Sequence, residues 1–520
     1  MIGLVAGLGF LILLFVPGPG ASGHWPALEL RLPVEALILA ALAVLPRLGG
    51  RRLPFAGRSI LALVILLLAI IGLVDAEAPA LMGRELDFSA DLSHAGSVVA
   101  LFTGAAGPWQ IALAGLAAIL APLMLFTLTM LALSAIDRGV AGSPLRLTLL
   151  LAGAVLAGAL SGVGPLSDRA LAAANKQSGK IIEAWRASHG ERDAFLARLG
   201  AAPRRDADLA RLAGRDVYVI FFESYGAVLL DPPLRASAVP AMENFGASLA
   251  AAGFTLKTAR IASPTYGGGS WLAHGTVDSG AWLDSELRYE LLTSTDRPTW
   301  PRLMQQAGYQ TMDALPGLKE PLDSAGFWGF ERMVGTDQLG YAGPAFGWFG
   351  VPDQFSLGAI EKLPRDPARP LFAQIVLVSS HMPFTPVPPY VEDWSDAGRF
   401  ATRPELAQEM AVPPDWEHLE RPYLDSVAYD LRVLADWIPR AVSQDALVIL
   451  LGDHQPPALI GTASASHDVP VHILSRDPEI VRLLAGPGFT DGAIPTDSAG
   501  TMAELLPDFL DRMSSPKGGS

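Results

Sequence analysis

The sequence predicts a chain of two parts. Residues 1–165 read as an N-terminal all-α bundle of five transmembrane helices, and residues 213–513 as a C-terminal α/β sandwich around a mostly parallel sheet. Three observations predict this. Apolar residues fill 50% of the 520 positions and charged residues only 17%, with a mean hydropathy of +0.33, which is more apolar than a soluble chain of this length. That excess lies before residue 165. After about residue 213, short apolar runs alternate with helical patterns, the order expected of strands covered by helices.

Five apolar stretches approach the roughly 20 residues that cross a bilayer: Ile2 to Val16, Val34 to Leu48, Ile60 to Val74, Ile111 to Ile136 and Leu147 to Val163. The first is followed by "PGPGASG" and resembles a signal peptide in length. It lacks the basic start such a signal wants, so it reads as a retained helix. Arg47, Arg51, Arg52 and Arg58 follow the second stretch, and Arg138 and Arg146 the fourth. Short loops rich in Lys and Arg stay on the cytoplasmic side, whereas "DAEAPALMGRELDFSADLSH" after the third stretch is acidic and faces out. The N-terminus is then cytoplasmic, and everything past residue 165 extracytoplasmic. The absence of cysteine fits an oxidising compartment, and a net charge of -14 excludes a nucleic-acid partner.

Residues 166–212 read as an amphipathic helical connector ("IIEAWRASHGERDAFLARL"). Three continuous apolar runs of the kind buried parallel strands show follow it. "RDVYVIFFESYG" ends in Glu223, "RPLFAQIVLVSSHMPF" in His381, and "DALVILLGDHQPP" in Asp453 and His454. "TWPRLMQQAGY" and "YLDSVAYDLRVLADWIPRAV" are helical patterns between them. A short strand, "VPVHILS", follows His467, and residues 514–520 read as a disordered tail. Ligands of such sheets bind beyond the carboxyl ends of the strands.

The residues at those ends carry chemistry. Glu223 follows an apolar run where an unpaired carboxylate is costly, and a carboxylate beside an imidazole, as in Asp453 and His454, suits a divalent cation. Each has a plain alternative as a loop acid or turn residue, and His381 and His467 as ordinary loop histidines. His472 falls inside the last strand and reads as core; His189 and His418 carry no role. The stretch "TYGGGSWLAHGT" places Gly267, Gly268 and Gly269 before Ser270. Glycines let a backbone turn close to a ligand, and a serine at a helix start meets free N–H groups that favour a phosphoryl anion. Ser270 is the candidate nucleophile, activated by a metal, or else only an N-cap. His274 lies one turn on, on the same face.

Glu223, Ser270 and the Asp453–His454 pair, in that order behind five apolar stretches, resemble the alkaline phosphatase and sulfatase superfamily. Within it, the chain is similar to the membrane-anchored branch of phosphoglycerol and phosphoethanolamine transferases that includes lipoteichoic acid synthase. The resemblance implies that Glu223, Ser270, Asp453 and His454 hold one divalent metal ion, with manganese expected ahead of zinc or magnesium. It implies substrate contacts from "HMPF" at His381, from His467 and His274, and, in a loosely matched region, from Lys319 and Trp328. The chain departs from the pattern in carrying Ser where those transferases carry Thr. Ser270 is followed by Trp271, Leu272, Ala273 and His274 rather than the Pro and Arg spacing of formylglycine sulfatases, which speaks against sulfatase chemistry.

The expected activity is transfer of a phospholipid headgroup phosphate, through a phospho-Ser270 intermediate, to an envelope glycan or lipid, with His381 protonating the departing diacylglycerol. The expected place is a bacterial inner membrane, with the catalytic domain on the periplasmic face. Two alternatives stay open: a metal-dependent phosphodiesterase using the same residues, and a catalytically silent membrane protein whose α/β domain binds an envelope partner.

Overall fold

The computed structural model describes residues 2–16, 32–82, 86–88, 108–160, 166–201, 208–318, 324–397, 414–416, 418–460 and 466–515. Residues 83–85 and 89–94 of the acidic loop after the third apolar stretch, Lys319, and the tail beyond Ser515 lie outside them. The chain divides into two compact units, Met1–Ala187 and Ser188–Ser520.

In the first unit each of the five apolar stretches contains a helix: α1 (Ile2–Phe15), α2 (Val34–Val44), α3 (Phe55–Met82), α4 (Pro108–Val140) and α5 (Pro144–Ala159). Two segments among the described residues, Phe55–Ala76 and Trp109–Val140, are long and apolar enough to cross a membrane. The others, at 14, 11 and 16 residues, are shorter than the roughly 20 a bilayer asks for. Leu11, Leu39, Val44, Ile65 and Ile136 form the buried core of this unit, while Leu63, Leu67 and Ile70 on α3 stay exposed. Arg47 and Asp137 lock α4 to the end of α2 through a two-pronged ion pair at 2.7 and 2.6 Å. A long helix, α6 (Arg169–Ala201), continues across the boundary between the units.

The second unit is built on a nine-stranded sheet. Its strands are β1 (Val217–Phe222), β2 (Thr255–Ala262), β3 (Gln310–Ala314), β4 (Arg332–Val334), β5 (Leu371–Leu377), β6 (Leu447–Gly452), β7 (Asp468–Ser475), β8 (Thr490–Asp491) and β9 (Ser498–Thr501). They lie in the order β8-β2-β7-β6-β1-β5-β3-β4, with β9 beside β2. The sheet is mixed rather than mostly parallel. β1, β3, β5 and β6 with β4 run parallel, but β7 pairs antiparallel with both β6 and β2. The reason is local: no crossover helix is described between β6 and β7, so the chain turns back on itself.

Residues of β1 alternate between two cores, one on each face. Tyr218, Ile220 and Phe222 pack with α7 (Arg235–Ala251), α10 (Asp353–Ile360) and α11 (Glu420–Ala441). Val217, Val219 and Phe221 pack with α8 (Ser270–Ser279), α9 (Trp300–Gln306) and α12 (Met502–Met513). Each large apolar side chain so buried contributes roughly 1.5–3 kcal/mol. A central strand buried on both faces needs the continuous apolar run that β1 shows. Because β7 is antiparallel to its two neighbours, β2 runs in the same sense as β1, β5 and β6. The carboxyl ends of those four strands and the start of β7 therefore share one edge of the sheet.

Candidate functional site

At that edge the predicted ligands meet. Glu223 follows β1, Asp453 and His454 follow β6, and all three are buried, at 3%, 0% and 2% exposure. Their ligand atoms lie within 4.8 Å of one another. Ser270, the first residue of α8, joins them from the far end of the loop after β2. Its Oγ stands 3.1 Å from His454 Nε2 and donates to Glu223 Oε2 at 3.3 Å. The three glycines make that approach: Gly267, Gly268 and Gly269 have φ of 67°, 144° and 80°, all in the region that side chains disfavour.

Backbone groups fix the acids. Asp453 Oδ1 accepts from the N–H of Ser224 at 2.8 Å and of His454 at 2.7 Å, whereas Oδ2 is buried with no hydrogen-bond partner among the described residues and lies 3.6 Å from His454 Nε2. Burial first, and then the Glu223 carboxyl, push the Asp453 carboxyl up to about 6. Burial alone would lower His454, but Asp453 and Glu223 outweigh it and hold the imidazole above its usual range. Its Nδ1 lies 2.8 Å from the Gln455 carbonyl, so the ring proton belongs on Nδ1 and the Nε2 lone pair turns into the site. Two buried carboxyls, an orphaned carboxylate oxygen and an inward lone pair form a donor set that fits a divalent cation. The field that draws a proton to His454 is the one that would draw such an ion.

The remaining predicted residues are placed less centrally. His381, after β5, is half-buried, with Nδ1 2.7 Å from the Met382 carbonyl and its ring 4.9 Å from that of Phe349. Burial lowers it to about 4, so near pH 7 it is neutral with Nε2 as an acceptor. That tautomer can take up a proton. His274 packs its ring 4.1 Å from that of Phe221, its Nε2 buried without a hydrogen-bond partner among the described residues, and burial lowers it to about 4. His467 is exposed at the start of β7, 5.6 Å ring to ring from Tyr266. Trp328 lies in an apolar cluster with Leu272, Leu283 and Leu292 and donates to Tyr289 Oη at 3.2 Å; it is a buried packing residue against α8. Lys319 falls outside the described residues.

Sequence reasoning missed three supporting serines. Ser224, with φ of 56°, donates to Glu223 Oε1 at 2.9 Å; a non-glycine residue there stores strain beside the site. Ser263 Oγ donates to the Asp453 carbonyl at 2.6 Å, and Ser380 Oγ to the Glu223 carbonyl at 2.7 Å. The only signal was adjacency to a strand end.

A mixed sheet sandwiched by helices thus gathers a hydroxyl, two carboxyls and an imidazole at its strand ends. Residues 287–471 match the family model described as Sulfatase. His381, Asp453, His454 and His467 fall inside the matched residues; Glu223 and Ser270 precede them. Among solved structures, the domain is similar to the lipoteichoic acid synthase LtaP from Listeria monocytogenes, at 16% identity and TM-score 0.39, covering 57% of this chain and 72% of that one. It is also similar to the phosphoglycerol transferase GacH of Streptococcus pyogenes in complex with sn-glycerol-1-phosphate, at 13% identity and TM-score 0.34, covering 56% and 74%. A third is the C-terminal periplasmic domain of EcEptC from Escherichia coli in complex with zinc, at 14% identity and TM-score 0.35, covering 56% and 80%. No curated protein matches the chain.

Proposed function

We propose that this chain is a membrane-bound, metal-dependent transferase that moves a phospholipid headgroup phosphate to an envelope glycan or lipid. The observation that carries the reading is the Ser270 hydroxyl held 3.1 Å from His454 Nε2 and 3.3 Å from Glu223 Oε2, at the start of a helix, beside an orphaned Asp453 oxygen. Glu223, Asp453 and His454 would hold one divalent ion. Such an ion lowers the pKa of a neighbouring hydroxyl and offsets charge on phosphoryl oxygens.

Ser270 Oγ forms a bond to the donor's phosphorus as the bond from phosphorus to the glycerol oxygen of diacylglycerol breaks. The Ser270 proton leaves along its hydrogen bond to Glu223, and the departing oxygen takes a proton from water. The free N–H groups at the start of α8 face the phosphoryl oxygens. In the second half, His381 Nε2 accepts the hydrogen of the incoming hydroxyl as its oxygen bonds to phosphorus, the bond from phosphorus to Ser270 Oγ breaks and Oγ takes back the proton held at Glu223, while His274 and His467 border the headgroup. The five apolar helices hold the domain on the extracytoplasmic side of the inner membrane, where lipid is locally concentrated.

Intact-mass spectrometry of the full chain with phosphatidylglycerol, phosphatidylethanolamine and manganese tests this. A headgroup-phosphate mass on the wild type, absent from Ser270→Ala, with diacylglycerol released, is expected. No adduct and no diacylglycerol with any of manganese, zinc or magnesium would end the proposal. Release of headgroup phosphate to water at the same rate with and without acceptor would make the protein a phosphodiesterase.

A further inference from the structure

One cluster of titratable groups at the same edge of the sheet has no part in that reading. Asp353 opens α10 and Asp430 lies midway along α11, and both are fully buried. Asp353 is saturated with donors. Its carboxylate accepts from the N–H of Val378 at 3.0 and 2.9 Å and from that of Ser379 at 2.6 Å. Its own N–H donates to Ser379 Oγ at 3.1 Å. It therefore clamps the turn that leaves β5 and carries Ser380 and His381.

Asp430 is its opposite. Neither of its oxygens receives a hydrogen bond from a donor among the described residues. The polar groups it meets are the Asp353 carboxyl and the Ser380 hydroxyl, and Ser380 directs its hydrogen to the Glu223 carbonyl at 2.7 Å. A buried acid facing only acceptors is tolerated when it carries the proton itself, and two carboxyls in contact hold at most one charge between them. Burial, and then the neighbouring Asp353, keep Asp430 well above the usual carboxylate range; burial raises Asp353 to about 6.

We propose that Asp430 and Asp353 form a proton-sharing pair, donor and charged acceptor, that positions the 378–381 turn and through it His381 and the backbone of Glu223. The catalytic consequence rests on the transferase reading; the arrangement of the turn does not. Both are positioning residues. Asp353 must remain an acceptor for three backbone contacts, whereas Asp430 need only donate. The two asparagine variants are thus unequal.

The test is hydrogen exchange of the full chain in detergent, read on peptides covering 376–384. Asp430→Asn keeps a donor and should exchange within about threefold of wild type. Asp353→Asn places an amide nitrogen against the Val378 N–H whichever way the amide turns, and should exchange at least about tenfold faster, roughly the loss of 1.4 kcal/mol. Asp430→Leu, of similar size with no donor, should follow Asp353→Asn. Equal behaviour of the two asparagine variants, or a wild-type pattern in Asp430→Leu, overturns the pair. An infrared difference spectrum, wild type minus Asp430→Asn, supplies a readout that packing alone does not move: the band of a buried protonated carboxylic acid is expected, and its absence overturns the proposal. Where the Ser270 adduct forms, its maximal rate should fall at least about tenfold in Asp353→Asn and be rescued in Asp430→Asn, with the half-saturating lipid concentration unchanged. A wild type that forms no adduct but shows the unequal exchange would sink the transferase reading and leave the pair standing.

Discussion

Ser270 and Asp453 divide the work of the site between them. Ser270 presents the hydroxyl, and Asp453 keeps one oxygen unpartnered in a buried place. If that oxygen is a metal ligand, its loss outweighs loss of an orienting group, which typically costs 10–100-fold in affinity. Asp453→Asn should therefore weaken manganese binding by more than about 100-fold, and Ser224→Ala by about tenfold, measured by titration calorimetry. Equal losses would mean that Asp453 only braces the turn. Ser270→Thr should retain adduct formation, whereas Ser270→Ala should lose it by on the order of 10³-fold or more.

Strand ends carry these side chains, and packing around them leaves little room. A Cβ at Gly452, the last residue of β6, would run into the Tyr225 carbonyl oxygen. Gly452→Ala should cost about 1–3 kcal/mol and weaken metal binding with it, because Asp453 moves as the strand end shifts; a melting curve beside a calorimetric titration checks both. In β7, His472 lies between Thr258 Oγ1, 2.7 Å from Nδ1, and Tyr225 Oη, 3.2 Å from Nε2. Burial lowers it from 6.5 to about 3. The unfolded chain takes up that proton near pH 6.5 and the folded one does not, so stability falls as pH drops from about 6.5 towards 3, by at most about 5 kcal/mol. Denaturant titrations of His472→Gln should show a flatter acid limb, and an unchanged slope would assign the acid loss elsewhere.

The same elements explain what was legible. β1, β5, β6 and β7 announced themselves as apolar runs because they are buried on both faces. β2 reads "TLKTARIA", with alternating burial, and passed unnoticed. Yet β2 is the strand that delivers Ser270, so the residue was legible from its glycines and its neighbourhood was not. Trp328 entered only through a loosely matched region of the resemblance, and packing places it in the cluster with Leu272, Leu283 and Leu292. Asp353 and Asp430 stand 77 positions apart, and no local pattern hints that they face each other.

At the scale of the whole molecule, the helices of the first unit and the site of the second imply a division of labour. A chain shortened to residues 188–520 should process a short-chain, dispersed donor within about tenfold of the full chain, and lose on the order of 100-fold on vesicle lipid, where tethering raises effective concentration. Equal losses on both donors would mean that the first unit supports the fold rather than access to lipid.

The ligand set also ties distant parts of the chain together. Glu223, Ser270 and the Asp453–His454 pair come from three segments, so an ion shared among them acts as a reversible staple closing two long loops, and such closure favours the folded state most where the loops are long. Excess ion at about 100 times its dissociation constant would add about 2.7 kcal/mol to the folded state. A chelator should then lower the melting temperature as well as activity, and do so far less in Asp453→Asn. Metal supply would then set how much folded protein persists, in addition to how fast it works.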